Sequence, residues 1–148
     1  MIVVLDTTAI LATLFGEPAA HEVAPLLCDP DVDVRLSAVN LGEVVDILVR
    51  REGLAEDAIT ERIELFDASG LSVVPVDASL ALLAGQLRGR YWNRDTCRVS
   101  LADCCAVATA QRLGARIATS DSAMTLVAAA EGVGLMALPD SKSGRPSA

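Results

Sequence analysis

Near its start the chain has four aliphatic residues in succession, Ile2-Val3-Val4-Leu5, with no polar position among them. A run without alternation reads as a strand buried on both faces. It stops at Asp6, and Thr7, Thr8 and then helix-forming residues follow. Further short aliphatic runs lie at 32–36, 71–76, 116–119 and 134–138. Between them, apolar residues recur at helical spacing, which predicts helices over 9–15, 19–27, 55–68, 100–114 and 121–131. Pro25 is expected to kink or shorten the second of these.

Ser37 is positioned to cap another helix that ends near Gly53, with Val39, Leu41, Val44, Val45, Leu48 and Val49 as a broad apolar face. Asp77 or Ser79 caps one more through Leu80, Leu83 and Leu87, and 88–99 reads as a polar connection. Pro75 marks its run as an edge strand, since a central strand would lose a ladder hydrogen bond there. Strand and helix in alternation predict a mostly parallel sheet with right-handed crossovers, covered on both faces. The fold class is therefore α/β, a three-layer α/β/α sandwich. Residues 1–138 make up a single domain, and 139–148, rich in Ser, Pro and Gly, form an expected mobile tail.

A hydrophobic content of 52% suits a domain with a sizeable core. No apolar run approaches the ~20 residues of a membrane span. Asp6 interrupts the first apolar run and no basic region precedes it, so the start does not read as a secretory signal. The expected location is the cytoplasm. Cys28, Cys97, Cys104 and Cys105 contain no C-x-x-C pair, and His21 is the single histidine. Free buried thiols are expected rather than a zinc site. A formal net charge of −8 argues against a protein that coats nucleic acid non-specifically. It leaves room for a nuclease that binds through metal ions and local arginines.

Four acids carry the candidate chemistry. Asp6 and Asp121 each follow a strand, at the edge where ligands bind in open α/β sheets. Glu43 and Asp103 lie in the opening turns of helices that start at that same edge. Each has a structural explanation of its own. Asp6 and Asp121 can be helix N-caps, Ser100-x-x-Asp103 fits a capping box, and Glu43 can be a solvated acid near a helix dipole. Convergence of all four on one edge is what favours a site. Such a donor set suits Mg²⁺, which takes hard oxygen ligands and retains several waters. A divalent ion so held can activate water and neutralise charge on a phosphodiester undergoing in-line hydrolysis.

The series Leu5-Asp6-Thr7-Thr8-Ala9, Ser37-Ala38-Val39-Asn40-Leu41-Gly42-Glu43-Val44, Ser100-Leu101-Ala102-Asp103-Cys104-Cys105-Ala106-Val107-Ala108 and Ala118-Thr119-Ser120-Asp121 resembles the PIN domain. More narrowly it resembles the VapC toxins of toxin–antitoxin pairs. The resemblance implies an α/β/α sandwich and an endoribonuclease in which Asp6, Glu43, Asp103 and Asp121 hold Mg²⁺ or Mn²⁺, with Thr7 and Thr119 as nearby hydroxyls. It further implies a VapB-type antitoxin, an RNA substrate and a homodimer. In the family a further acid often follows two residues after the last one. Here that position is Ala123, and Cys104-Cys105 stands where small or aliphatic residues are usual.

The stretch 88–98 holds four of the twelve basic residues and the only Trp and Tyr. Arg90, Trp92, Arg94 and Arg98 are thus candidate RNA contacts, the arginines for phosphates and the ring for an unpaired base. The competing reading is that the aromatics tuck this stretch onto the core. Two other functions fit part of the pattern. A catalytically silent PIN-like binding module would share the fold, and a phosphorelay receiver could use Asp77. Receivers, however, usually carry a second acid beside the one after strand one, where this chain has Leu5 and Thr7.

Overall fold

The structure is a computed structural model, and it describes residues 1–141. Five strands, β1 (Ile2–Leu5), β2 (Asp33–Ser37), β3 (Ser72–Val74), β4 (Arg116–Thr119) and β5 (Leu135–Ala137), form one sheet in the order β3-β2-β1-β4-β5. Every pairing is parallel. The helices are α1 (Thr7–Leu14), α2 (Ala20–Cys28), α3 (Ala38–Arg50), α4 (Glu56–Ala68), α5 (Ala78–Tyr91), α6 (Leu101–Leu113) and α7 (Ser122–Ala130).

Right-handed crossovers assign the layers. The chain moves from β1 to β2 to β3 in one direction, which places α1 to α4 on one face. It then returns past β1 to β4 and β5, which places α5 to α7 on the other. The core divides accordingly. Val3, Leu5, Val34, Leu36 and Ala118 pack with Ile10, Val23, Val44, Leu48 and Phe66, while Val4 and Ile117 face Leu80, Leu87, Val107, Met124 and Val127. Adjacent strand residues point to opposite faces, so the unbroken run Val3 to Leu5 supplies both halves.

Three local expectations are corrected. The helix containing Pro25 continues to Cys28, since Pro25 and His21, whose carbonyl loses its amide partner, are both exposed to solvent. Helix α5 extends to Tyr91 because Leu80, Ala84, Leu87 and Tyr91 keep one stripe against the core, so 88–91 is helical and not connecting loop. On α3 the buried stripe runs Asn40, Val44, Leu48, and Val39 and Val49 fall outside it at 38% and 47% exposure. Pro75 does follow an edge strand. Cys28 is exposed, whereas Cys97, Cys104 and Cys105 are buried and all four thiols are free. The expected mobile tail lies largely outside the described residues, from 142 onward.

Candidate active site

Strand order reverses at β1 and β4, and the site is built at their carboxyl ends. Leu5 is in register with Leu36 on one side and with Ala118 on the other, so the next residues, Ser37, Asp6 and Thr119, form one row across the sheet edge. Asp6 is buried at 1% exposure and caps α1. Its Oδ1 accepts from the Ala9 amide at 2.7 Å, and its Oδ2 from the Thr119 hydroxyl at 2.5 Å. The Thr8 hydroxyl lies 2.9 and 2.8 Å from the two oxygens. The carboxylate is fixed on both sides.

Thr119 extends this contact to a second acid, for its Oγ1 also accepts from the Asp121 amide at 2.9 Å. Asp121 caps α7 through Oδ1, which accepts from the Met124 amide at 2.7 Å. Asp103 completes a capping box on α6, its Oδ2 accepting from the Ser100 amide at 2.9 Å. The capping explanation is therefore correct for three of the acids and does not compete with a site. Asp103 and Asp121 each engage one oxygen in a backbone cap bond. Glu43 lies half-buried in the second turn of α3.

The electrostatics link Asp103 to Asp121 and Glu43, and Asp6 to Asp121. Burial pushes Asp103 up from 3.8 to about 6, and the like charges of Asp121 and Glu43 add to the rise. Burial likewise raises Asp6, against the hydrogen bonds from Thr119, Ala9 and Thr8, and the charge of Asp121 contributes. None of the four is ion-paired with an arginine or lysine among the described residues. Carboxylates that repel one another and are ion-paired with no arginine or lysine among the described residues are suited to a bound cation. The donors are all hard oxygens, as Mg²⁺ or Mn²⁺ prefers. Among the described residues no three acid, histidine or cysteine side chains are grouped closely enough to hold a metal ion as they stand.

Two clefts of about 450 Å³ share Asp121 and Ser122 in their walls. One continues along Thr8, Phe15, Arg51 and Glu52 to Asp140 and Ser141, at the beginning of the expected tail. Asp95, Thr96, Cys97, Arg98 and Leu126 line the other.

The basic stretch is thereby divided. Arg98 reaches the second cleft, with Nε donating to the Arg94 carbonyl at 2.7 Å. Arg94 and Trp92 are exposed on the same loop, and the Arg88 guanidinium lies 5.7 Å over the Trp92 ring. Arg90 is not brought to the acids. It pairs with Glu131 at 2.5 Å, beside the Tyr91 hydroxyl that donates to the same oxygen at 2.7 Å. Glu131 caps the far end of α7, about 15 Å along the helix from Asp121. Asp77 caps α5 and is held by both Nη atoms of Arg112 at 3.1 Å.

Sequence reasoning did not single out Asn40 or Thr8. Thr7 does not touch an acid; its hydroxyl accepts from Asn40 Nδ2 at 3.1 Å. Asn40 is fully buried, and the available signal was its place on the 40–44–48 stripe, a polar residue in an apolar row.

Several solved structures share the shape of this chain. They include VapBC2 of Rickettsia felis, solved with a DNA fragment from its promoter (16% identity, 94% of this chain and 100% of that one, TM-score 0.69). Another is VapC20 of Mycobacterium tuberculosis, a toxin that cleaves the sarcin–ricin loop (22%, 84% and 93%, 0.63). A third is FitAcB of Neisseria gonorrhoeae (26%, 90% and 96%, 0.63). No curated protein matches the chain in sequence. The sequence signature of the PIN domain spans residues 3–130, which places this chain in the PIN domain family.

Proposed function

We propose that this chain is a Mg²⁺- or Mn²⁺-dependent endoribonuclease that acts as the toxin of a toxin–antitoxin pair. The observation that carries the reading is that Asp6 and Asp121 follow adjacent strands at one sheet edge, with Asp121 raising the carboxyls of Asp6 and Asp103, and Glu43 that of Asp103, and with none of the four ion-paired to an arginine or lysine among the described residues. On this reading those four acids hold the ion. When bound, the ion supplies an activated water and neutralises charge on the phosphoryl and leaving oxygens. Asp6, immobilised by Thr8, Thr119 and the Ala9 amide, fixes one ligand direction. Asp103 and Asp121 each offer the oxygen that takes no backbone cap bond, and Glu43 closes the set from α3. Capping also sets three carboxylates at helix N-termini.

RNA is assigned to the cleft of Thr96, Arg98 and Asp121, with Arg94 and Trp92 on the adjoining loop. The toxin role draws on the VapBC and FitAB-type complexes among the structural neighbours. A VapB-type antitoxin and a second copy of the chain are the proposed protein partners, and the cytoplasm the proposed compartment. Apolar surface is available for them. Leu65 is 70% exposed on a groove of about 470 Å³ between α1, α2 and α4. No helix of the described residues is long and apolar enough to cross a membrane.

The test is cleavage of structured and single-stranded RNA by purified protein in Mn²⁺, Mg²⁺ or EDTA, with Asp6→Asn as control. Metal-dependent cuts lost in EDTA and in the variant support the reading. Equal, metal-independent cleavage by both proteins, or none by the wild type, overturns it.

A further inference from the structure

Two of the acids come from segments that no strand pairing holds together. Asp6 leaves β1 and Glu43 belongs to α3, and the β1–β2 pairing ends at Leu5 and Leu36, one residue before Asp6. Beyond that point a single hydrogen bond joins α1 to α3 among the described residues, from Asn40 Nδ2 to Thr7 Oγ1 at 3.1 Å. Asn40 is held at its other end as well. Its Oδ1 accepts from the Ser37 hydroxyl at 2.6 Å, and its backbone amide donates to Ser37 Oγ at 3.2 Å. Asn40, Ser37 and Thr7 are 0%, 0% and 4% exposed, so water does not substitute for these bonds.

The placement has a consequence for the acids. Thr7 is the residue after Asp6, and Asn40 precedes Glu43 by three positions, so both lie on one side of α3. Helical side chains lean toward the helix N-terminus, and Glu43 therefore reaches back over the turn that Asn40 anchors. Rotation or sliding of α3 along β2 would carry Glu43 away from Asp6 and would break the Asn40–Thr7 bond at the same time.

We propose that Asn40 is a positioning residue, which through Thr7 fixes the separation of Glu43 from Asp6 and so presets the metal site. This rests on the nuclease reading above. Groups that hold a metal's ligands in place typically change affinity or activity by roughly 10- to 100-fold when removed.

Mn²⁺ binding by titration calorimetry, RNA cleavage kinetics and thermal melts in EDTA are compared for Asn40→Leu, Thr7→Val, Thr7→Ser and the Asn40→Leu/Thr7→Val double variant. Asn40→Leu and Thr7→Val are each expected to weaken Mn²⁺ and lower kcat by roughly 10- to 100-fold with KM for RNA little changed. Thr7→Ser retains the hydroxyl and should restore both. The double variant should lose no more than the worse single, because both substitutions remove one bond. If Asn40→Leu fails to fold, Thr7→Val against Thr7→Ser makes the same comparison from the other partner. Folded variants that keep wild-type Mn²⁺ affinity and kcat, or losses that add in the double variant, overturn the proposal while the nuclease reading stands. A wild type that neither binds Mn²⁺ nor cleaves RNA refutes both.

Discussion

Substituting Asp103 by Asn should stabilise the metal-free protein at neutral pH, although it removes a residue at the centre of the site. In the folded chain burial, with the charges of Asp121 and Glu43 behind it, moves this carboxyl from its ordinary 3.8 to about 6. The native state thus holds the proton more tightly than the unfolded chain. The corresponding stability is fully present below about pH 4 and is lost as pH rises toward and through 6. A change of that size corresponds to at most about 3 kcal/mol. Since Asp103 is only partly buried, solvent screening reduces it to about 1–2 kcal/mol. Asn has no charge to bury, and its Oδ1 can still accept from the Ser100 amide that Asp103 now engages at 2.9 Å.

Thermal melts in EDTA should therefore show the variant about 2–8 °C above wild type at pH 7.5, with the two converging at pH 4. Mn²⁺ at about a hundred times its Kd should raise the wild type by about 2.7 kcal/mol and reverse the order. Melting curves that run parallel between pH 4 and 7.5, or a variant less stable throughout, would refute the argument that desolvation and like charge are concentrated at Asp103.

Three further outcomes follow from the same geometry. Asp6→Asn, Glu43→Gln and Asp121→Asn should each remove most RNA cleavage with the fold intact by circular dichroism, and their pairwise combinations should cost little more, because ligands of one ion act as a unit. Arg98→Ala should weaken RNA binding and reduce its salt slope by about 1, whereas Arg90→Ala should leave both unchanged and lower the melting temperature, having lost Glu131; filter binding across a salt series separates the two. Burial pushes the Cys104 thiol to about 12, so alkylation of the native protein should label exposed Cys28 and spare Cys97, Cys104 and Cys105 until the chain is unfolded, as peptide mass spectrometry would show.

The features legible in the sequence are those that nearest neighbours along the chain create. An aliphatic run without alternation is a strand buried on both faces wherever it lies, and Asp6, Ser37, Asp77, Ser100 and Asp121 cap their helices because a short polar side chain can reach an amide two or three residues on. From that alternation of elements the parallel sheet follows, and with it the edge to which the acids are delivered. Tertiary structure alone decided the remainder. Asn40 differs from a solvated helix residue only in that α3 turns it toward Thr7, thirty-three positions away. Arg90 left the candidate RNA surface through a contact with Glu131 forty-one positions on, while Arg98, eight residues later on the same stretch, stayed beside Asp121. The pKa of Asp103 belongs to this second class as well: desolvation and repulsion are sums over groups from every element packed around a carboxyl, and no window of sequence contains them.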